Sequence, residues 1–274
     1  MLDVGYSVLM SLYKKESPIF LEQCMESVFN QSVVSNDIVI VFDGPLTIEL
    51  ENVIQMYKDR FPTIIKIIRL EKNQGLGNAL NIGLKYCEND LVARMDTDDI
   101  AKRCRCEKQL AFMNSNPMIS IVGSNISEFI NCPDEVVSYR KVPERNDDII
   151  RFAHKRNPFN HMTVMFRKKV IESVGGYMDM PLAEDYYLWV RLLQKGYMGA
   201  NIQENLVYAR IGNNMIKKRG GVSYARKIYK LRKKMYNMEF ISFSEFMLYT
   251  VVHGLTAIVP AVLREKIYLL FVRK

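Results

Sequence analysis

Four apolar runs of strand length, each followed by a longer stretch of different periodicity, fill the first hundred residues, and this alternation restricts the fold more than any other feature. YSVLMSLY (6–13), DIVIVF (37–42), IIKIIRL (64–70) and DLVARM (90–95) are rich in Val, Ile and Leu, as strands buried on both faces are. Segments 18–30, 46–60 and 74–87 predict helices, the first with Ser17 as its cap and Pro18 in its first turn. Such alternation implies right-handed βαβ units and a mainly parallel α/β sheet flanked by helices. Ligands of these sheets bind beyond the carboxyl ends of the strands. Three segments fall there: Ser11-Leu12-Tyr13, Asp43-Gly44-Pro45 and Asp96-Thr97-Asp98-Asp99.

The second half is less regular. A helix is expected near 102–115, a strand near 119–126, a loop holding Pro133 and Pro143, and a strand HMTVMF near 161–166. After Gly175-Gly176, the run AEDYYLWVRLLQKG predicts a helix stopping at Gly196, and two more helices are expected near 221–236 and 244–259. Charge divides the chain in the same place. Residues 210–274 hold 14 Lys or Arg against 3 Asp or Glu, leaving 24 against 27 before them, so the basic character belongs to the C-terminal extension. A segment of that charge suits nucleic acid, an anionic membrane surface or a phosphorylated substrate.

Five cysteines without a CxxC and three histidines suggest neither a disulfide framework nor a zinc site. A reducing cytoplasm fits this usage, and the N-terminus lacks the basic region and long apolar run of a signal peptide. The uncharged stretch from Phe246 to Leu263 barely reaches membrane-span length and contains His253, Gly254 and Pro260. Its basic flanks favour a helix lying on a membrane or closing the domain.

The acids of ARMDTDDI, Asp96, Asp98 and Asp99, are crowded enough to raise one another's pKa unless a cation sits among them. A solvated turn is the competing reading. Mg2+ and Mn2+ take oxygen ligands, commonly one or two protein carboxylates together with phosphate and water oxygens, and alternate residues of extended backbone point to the same side. Ile100 and Ala101 exclude an EF-hand loop. Asp43, in FDGP, is either a turn residue or an acceptor for a nucleoside. KNQGLGNALN (72–81) lacks the third glycine of a dinucleotide fingerprint, although N–H groups at its helix start can face a phosphate. Glu184-Asp185 suits a helix N-terminus and equally a general base. His161 is favoured as a packed histidine over a metal ligand, and MIKKRGG (215–221) is either a solvated loop or a cationic clamp for a diphosphate.

The ordered set SLYKKESP, FDGP, KNQGLGNALNIGL, ARMDTDD, NPFNHMTVMFRK, GGY and AEDYYLWVRL, over roughly residues 5–220, resembles the family 2 glycosyltransferases of GT-A fold. Within that family the resemblance is to bacterial enzymes that build O-antigen, capsule or exopolysaccharide repeat units. It implies a Rossmann-like catalytic domain over 1–212, with a nucleotide-binding part (1–100) and an acceptor-side part (101–212), followed by a helical extension over 213–274. It further implies an inverting transfer of a hexose from a UDP-sugar to a lipid-diphosphate-linked glycan, assisted by Mn2+ or Mg2+, on the inner face of the cell membrane. By position, Ser11, Tyr13 and Asp43 would contact the base, Gly75 and Asn81 match the third-helix motif, and Asp96 would meet ribose or the metal's water shell. Asp98 would ligate the metal, Asp99 would face the sugar or acceptor, and Asp185 matches the base with Glu184 beside it. Lys217, Lys218 and Arg219 would assist the diphosphate. Phe42 stands where the family often has a second acid, and Lys14 where it often has Asn. A sugar-nucleotide nucleotidyltransferase would need a Gly- and Arg-rich loop after strand one, which SLYKKESP does not supply. A basic module binding nucleic acid or membrane would leave the ordered acids without a purpose; no nucleic acid partner is expected.

Overall fold

The computed structural model describes residues 5–180, 182–212 and 220–258, with side chains described as far as residue 254. Its first half follows the alternation closely: β1 (Tyr6–Leu12), α1 (Pro18–Phe29), β2 (Asp37–Phe42), α2 (Ile48–Arg60), β3 (Ile65–Arg69), α3 (Leu76–Tyr86) and β4 (Leu91–Arg94). There follow β5 (Ile100–Ala101), α4 (Arg105–Ser115), β6 (Ile119–Phe129), β7 (Val136–Arg140), α5 (Asn146–Ala153), β8 (Met165–Arg167), α6 (Lys168–Ser173), α7 (Glu184–Gln194), β9 (Met198–Arg210), α8 (Gly221–Asn237) and α9 (Phe243–Ile258).

The strands form one sheet in the order β3-β2-β1-β4-β8-β6-β9-β5, with β7 beside β6. Strands β3, β2, β1 and β4 run parallel, whereas β8 enters antiparallel and the longest ladder, β6 with β9, is parallel again. Alternate residues of the strands point to opposite faces, and both faces are covered. Leu9, Val39, Val41, Val92 and Phe166 meet α3 and α7 on one side. Val8, Met10, Ile38, Ile40, Ala93 and Met165 meet α1, α2 and α4 on the other.

The HMTVMF strand begins later than its composition predicts. His161–Thr163 form a 3-10 turn and the strand starts at Met165. Side-chain bonds to the backbone compete here with ladder pairing: Asn160 Nδ2 donates to the Ser124 carbonyl (2.8 Å), and Thr163 Oγ1 donates to that of Asn160 (2.8 Å) while accepting the Ser124 N–H (3.0 Å).

Helix α8 attaches by packing. Leu231 and Met235 are fully buried in the cluster that holds Trp189, each worth about 1.5–3 kcal/mol, against about 0–1 kcal/mol for an exposed pair such as Lys230–Asp179. Among the described residues no helix is long and apolar enough to cross a membrane; the stretch from Phe246 to Leu263 continues beyond them.

Candidate active site at the strand rim

Strand register brings the three sequence-predicted segments to one edge. Leu12 pairs with Phe42 and Leu9 with Arg94; the Asp43 N–H donates to the Leu12 carbonyl (2.7 Å), and the Met95 N–H to that of Leu9 (3.2 Å). Ser11 is half-buried within β1, and Tyr13, just past its end, is 37% exposed. Burial raises the Tyr13 phenol, with Glu16 and Asp98 adding to the shift, so that ring shares the rim with the acids.

One oxygen from each of Asp96, Asp98 and Asp99 lies within 4.8 Å of the others. Buried Arg94 forms an ion pair with Asp96. Arg210 donates through its guanidinium to the Asp98 carbonyl and to Gln23. Its main-chain N–H donates to Asp99 Oδ1 (2.7 Å), and its charge interacts with Asp98 and Asp99. Burial first and Asp96 second push Asp98 up to about 6, and the same causes with Asp98 added hold Asp99 well above the carboxylate range. Asp99 Oδ2 is buried and finds no hydrogen-bond partner. Three carboxylates with one paired guanidinium and an orphaned oxygen fit a divalent cation, because a positive charge among them removes both the repulsion and the desolvation cost.

The opposite wall is the N-terminus of α7. Asp185 is half-buried, its Oδ1 accepting the Tyr186 N–H (2.7 Å) and its Oδ2 the Asn157 amide (2.6 Å). Burial raises its pKa, while those two donors, Arg94 and Arg140 oppose the rise. Glu184 is raised by burial and by Asp185, and its Oε2 has no partner. Between the walls sit Tyr177 and Arg94. Both interact electrostatically with Asp96 as well as with Glu184 and Asp185, so the two acidic groups flank one cleft.

Several expected ligand contacts prove to be internal supports. Asp43 Oδ1 accepts the Gln74 N–H (2.6 Å), and Oδ2 accepts the Gly75 N–H (3.0 Å) and the Asn73 amide (2.9 Å). The main-chain N–H groups of Gln74 and Gly75 therefore face Asp43, which fixes Gly75, the cap of α3. The contact needs Gly44, whose φ is +88° and whose added Cβ would lie 2.7 Å from the Asn73 nitrogen. Three of the four lone-pair positions of Asp43 are used.

Asn81 clamps the Tyr177 backbone. Its Nδ2 donates to the Tyr177 carbonyl (2.6 Å) and its Oδ1 accepts the Tyr177 N–H (2.7 Å), mimicking a strand pair. This close approach requires Gly176, where a Cβ would come within 2.4 Å of Asn81 Oδ1. Asp99, 2% exposed, accepts the Arg210 main-chain N–H. His161 Nε2 pairs with the Tyr177 hydroxyl (2.8 Å), its ring packs on Trp189, and burial and then Arg94 hold its pKa well below the ordinary value. The packed reading holds, and His161 is not one of the clustered ligands. Lys217, Lys218 and Arg219 lie outside the described residues.

Sequence reasoning missed Arg94, Asn157, Tyr177 and Arg210. The signal for Arg94 was a single cation inside an otherwise apolar strand end, immediately before three acids.

A sheet of this order with a carboxylate cluster beyond β4 and a second acidic pair across the cleft defines a GT-A glycosyltransferase. The family model described as glycosyl transferase family 2 matches residues 7–174, and the chain belongs to that family. An uncharacterized glycosyltransferase of Haemophilus influenzae is 43% identical over 98% of this chain and 99% of its own length. The UDP-Gal:alpha-D-GlcNAc-diphosphoundecaprenol beta-1,3-galactosyltransferase of Escherichia coli is 39% identical over 98% of this chain and 97% of its own. The fold is similar to that of a mannosyltransferase from Pyrobaculum calidifontis in complex with GDP-Man and Mn2+, with TM-score 0.67 and 14% identity over 97% of this chain and 75% of that one. The enzyme is a glycosyltransferase, and the nucleotidyltransferase reading is set aside.

Proposed function

We propose that the enzyme moves one hexose (Glc, Gal or an N-acetylhexosamine) from a UDP-sugar to a lipid-diphosphate-linked glycan in surface-polysaccharide synthesis, with inversion at the anomeric carbon. The observation that carries this reading is the Asp96–Asp98–Asp99 cluster, with one oxygen of each within 4.8 Å of the others, and its electrostatic link through Arg94 and Tyr177 to Glu184–Asp185. Asp185 takes the proton of an acceptor hydroxyl as its oxygen bonds to the anomeric carbon. The bond from that carbon to the β-phosphate oxygen breaks on the opposite face, and its electron pair leaves with UDP. A carboxyl raised by burial is a stronger base than a solvated one, which suits this step. Mn2+ or Mg2+, held by Asp98 with Asp96, would supply Lewis-acid neutralisation of the leaving diphosphate. An α-linked donor then gives a β-linked product.

The test is a panel of UDP-sugars with Mn2+, scored by UDP release with and without a GlcNAc- or GalNAc-diphosphate-lipid analogue. The Escherichia coli relative makes UDP-Gal with the GlcNAc acceptor the first pair to try. At least one donor should give release at least tenfold greater with acceptor than without, and silence across the panel would remove the assignment.

On this reading the enzyme works at the inner face of the cell membrane, and α8 and α9 carry residues that suit a peripheral contact. Phe243, Met247, Leu248, Val251 and Val252 of α9 are exposed, as are the cations Arg226 and Lys233 of α8. An apolar face beside basic residues suits an anionic leaflet. Flotation with phosphatidylglycerol vesicles should be strong at low salt and largely lost in 0.5 M NaCl; equal recovery with neutral vesicles would speak against the charged contact.

A further inference from the structure

The side chain that fixes the orientation of Asp185 is itself held in place from the C-terminal hairpin. Helix α5 ends at Ala153, and the last carbonyls of a helix have no partner within it. Here they are capped from two directions. The Tyr186 hydroxyl donates to the Ala153 carbonyl (2.6 Å), and Arg232 of α8 donates through Nη1 to the His154 carbonyl (2.5 Å) and through Nη2 to the Lys155 carbonyl (2.6 Å). A guanidinium at a helix C-terminus also meets the negative end of the helix dipole. Arg232 is 1% exposed and lies 5.2 Å from the Tyr249 ring centre of α9, while Glu245 of α9 pairs with His154 Nδ1 at 2.8 Å. Two residues past this cap stands Asn157. Its carbonyl accepts Arg140 (3.2 Å), its Oδ1 accepts the Phe159 N–H (3.3 Å), and its Nδ2 is left to donate to Asp185.

We propose that Asn157 is the positioning residue of Asp185, and that Arg232 holds the 153–157 turn from which Asn157 reaches it, so the C-terminal hairpin is part of the catalytic apparatus. This inference rests on the base assignment of the preceding section. Each Asp185 oxygen accepts one N–H, from Tyr186 on its own helix and from Asn157 across the cleft. The backbone donor alone leaves the carboxylate free to swing about its last torsion; the second donor removes that freedom and leaves one lone pair on each oxygen for the acceptor proton. Small losses of alignment at a reacting group cost about 10²-fold in rate.

The full-length chain is tested as Asn157→Ala, Asn157→Asp, Arg232→Met and Arg232→Lys. Asn157→Ala is expected to lower kcat by about 10- to 10²-fold with donor KM and calorimetric UDP affinity unchanged. It also removes a donor that lowers the Asp185 pKa, so the acidic limb of the kcat profile moves up. Near-isosteric Asn157→Asp puts a carboxylate where the donor was and moves the limb further. The other charged or titratable groups facing Asp185 are Glu184 on its own helix, Tyr177 from the preceding loop, Arg94 from β4 and Arg140 from β7, and all are retained. Arg232→Met should give the same kcat-only loss in weaker form, with Arg232→Lys restoring part of it.

Wild-type kcat and an unmoved limb in both Asn157 variants would overturn the proposal, as would parallel loss of UDP affinity and turnover, which marks a merely structural role. Asp185→Asn separates the two failures. If that variant remains active, the base assignment falls; if it is inactive while the Asn157 variants behave as wild type, the base stands and the positioning role falls.

Discussion

Asp185→Asn is expected to bind UDP with wild-type affinity and to turn over about 10³-fold more slowly, within the usual range for loss of a general base. The substitution preserves shape and removes the ability to take a proton. It also disturbs a specific pair of hydrogen bonds. The carboxylate accepts from Tyr186 on one oxygen and from Asn157 on the other, whereas an amide offers oxygen to only one of them. The unpaired N–H left behind costs about 1–3 kcal/mol, partly offset because a charge no longer has to be buried. A modestly lower melting temperature should therefore accompany the loss of turnover, and calorimetric UDP binding shows whether the donor side is intact. In the wild-type enzyme kcat should rise with pH through a carboxyl pKa above the ordinary range, the direction burial imposes on Asp185. Full activity in the Asn variant would remove the assignment.

How far the sequence exposes this site depends on the range of the forces involved. Strands β1 to β4 were legible because β1, β2 and β4 are buried almost throughout and all four are dominated by apolar residues, even β3, which is only half-buried along most of its length. β9 was not, since NIQEN in its middle (201–205) reads as a loop; pairing with β6 makes those residues a strand. β5 is two residues long and exists only because β9 lies beside it. Asp96, Asp98 and Asp99 were legible as polar residues placed just past a strand end, and Glu184 and Asp185 as acids at the start of a helix. What each acid does was less so. Asp43 and Asn81 look like ligands in a motif, yet each also bonds within the fold, to Gly75 and Tyr177, partners 32 and 96 positions away. Nothing local to FDGP or GNALN reveals those bonds. Asn157 and Arg232 escaped for the same reason, because the carbonyls and the carboxylate they serve are adjacent only in the folded chain.

Asp98→Ala is expected to abolish the dependence of UDP binding on Mn2+ and to lower turnover by about 10³-fold or more, the scale of the several kcal/mol a Lewis acid contributes. Burial and Asp96 raise Asp98 to about 6, and burial with its two acidic neighbours raises Asp99 as well, both above the value near 3.9 of an unfolded Asp. A carboxyl raised on folding binds its proton more tightly in the native state. Its stabilising contribution is therefore present at low pH and is lost as pH rises through the folded pKa, so without metal the protein should become less stable between about pH 4 and 6. Saturating Mn2+ inverts that trend, since the cation binds the ionised acids and protons compete with it. At a hundredfold excess over Kd it adds about 2.7 kcal/mol. In Asp98→Ala the metal-induced rise in melting temperature should disappear, yet the metal-free variant at neutral pH should be no less stable than metal-free wild type, because one of three repelling carboxylates has gone. That combination separates ligand loss from simple damage to the fold. An Asp98→Ala enzyme whose UDP affinity still rises with Mn2+ would place the cation elsewhere on the rim.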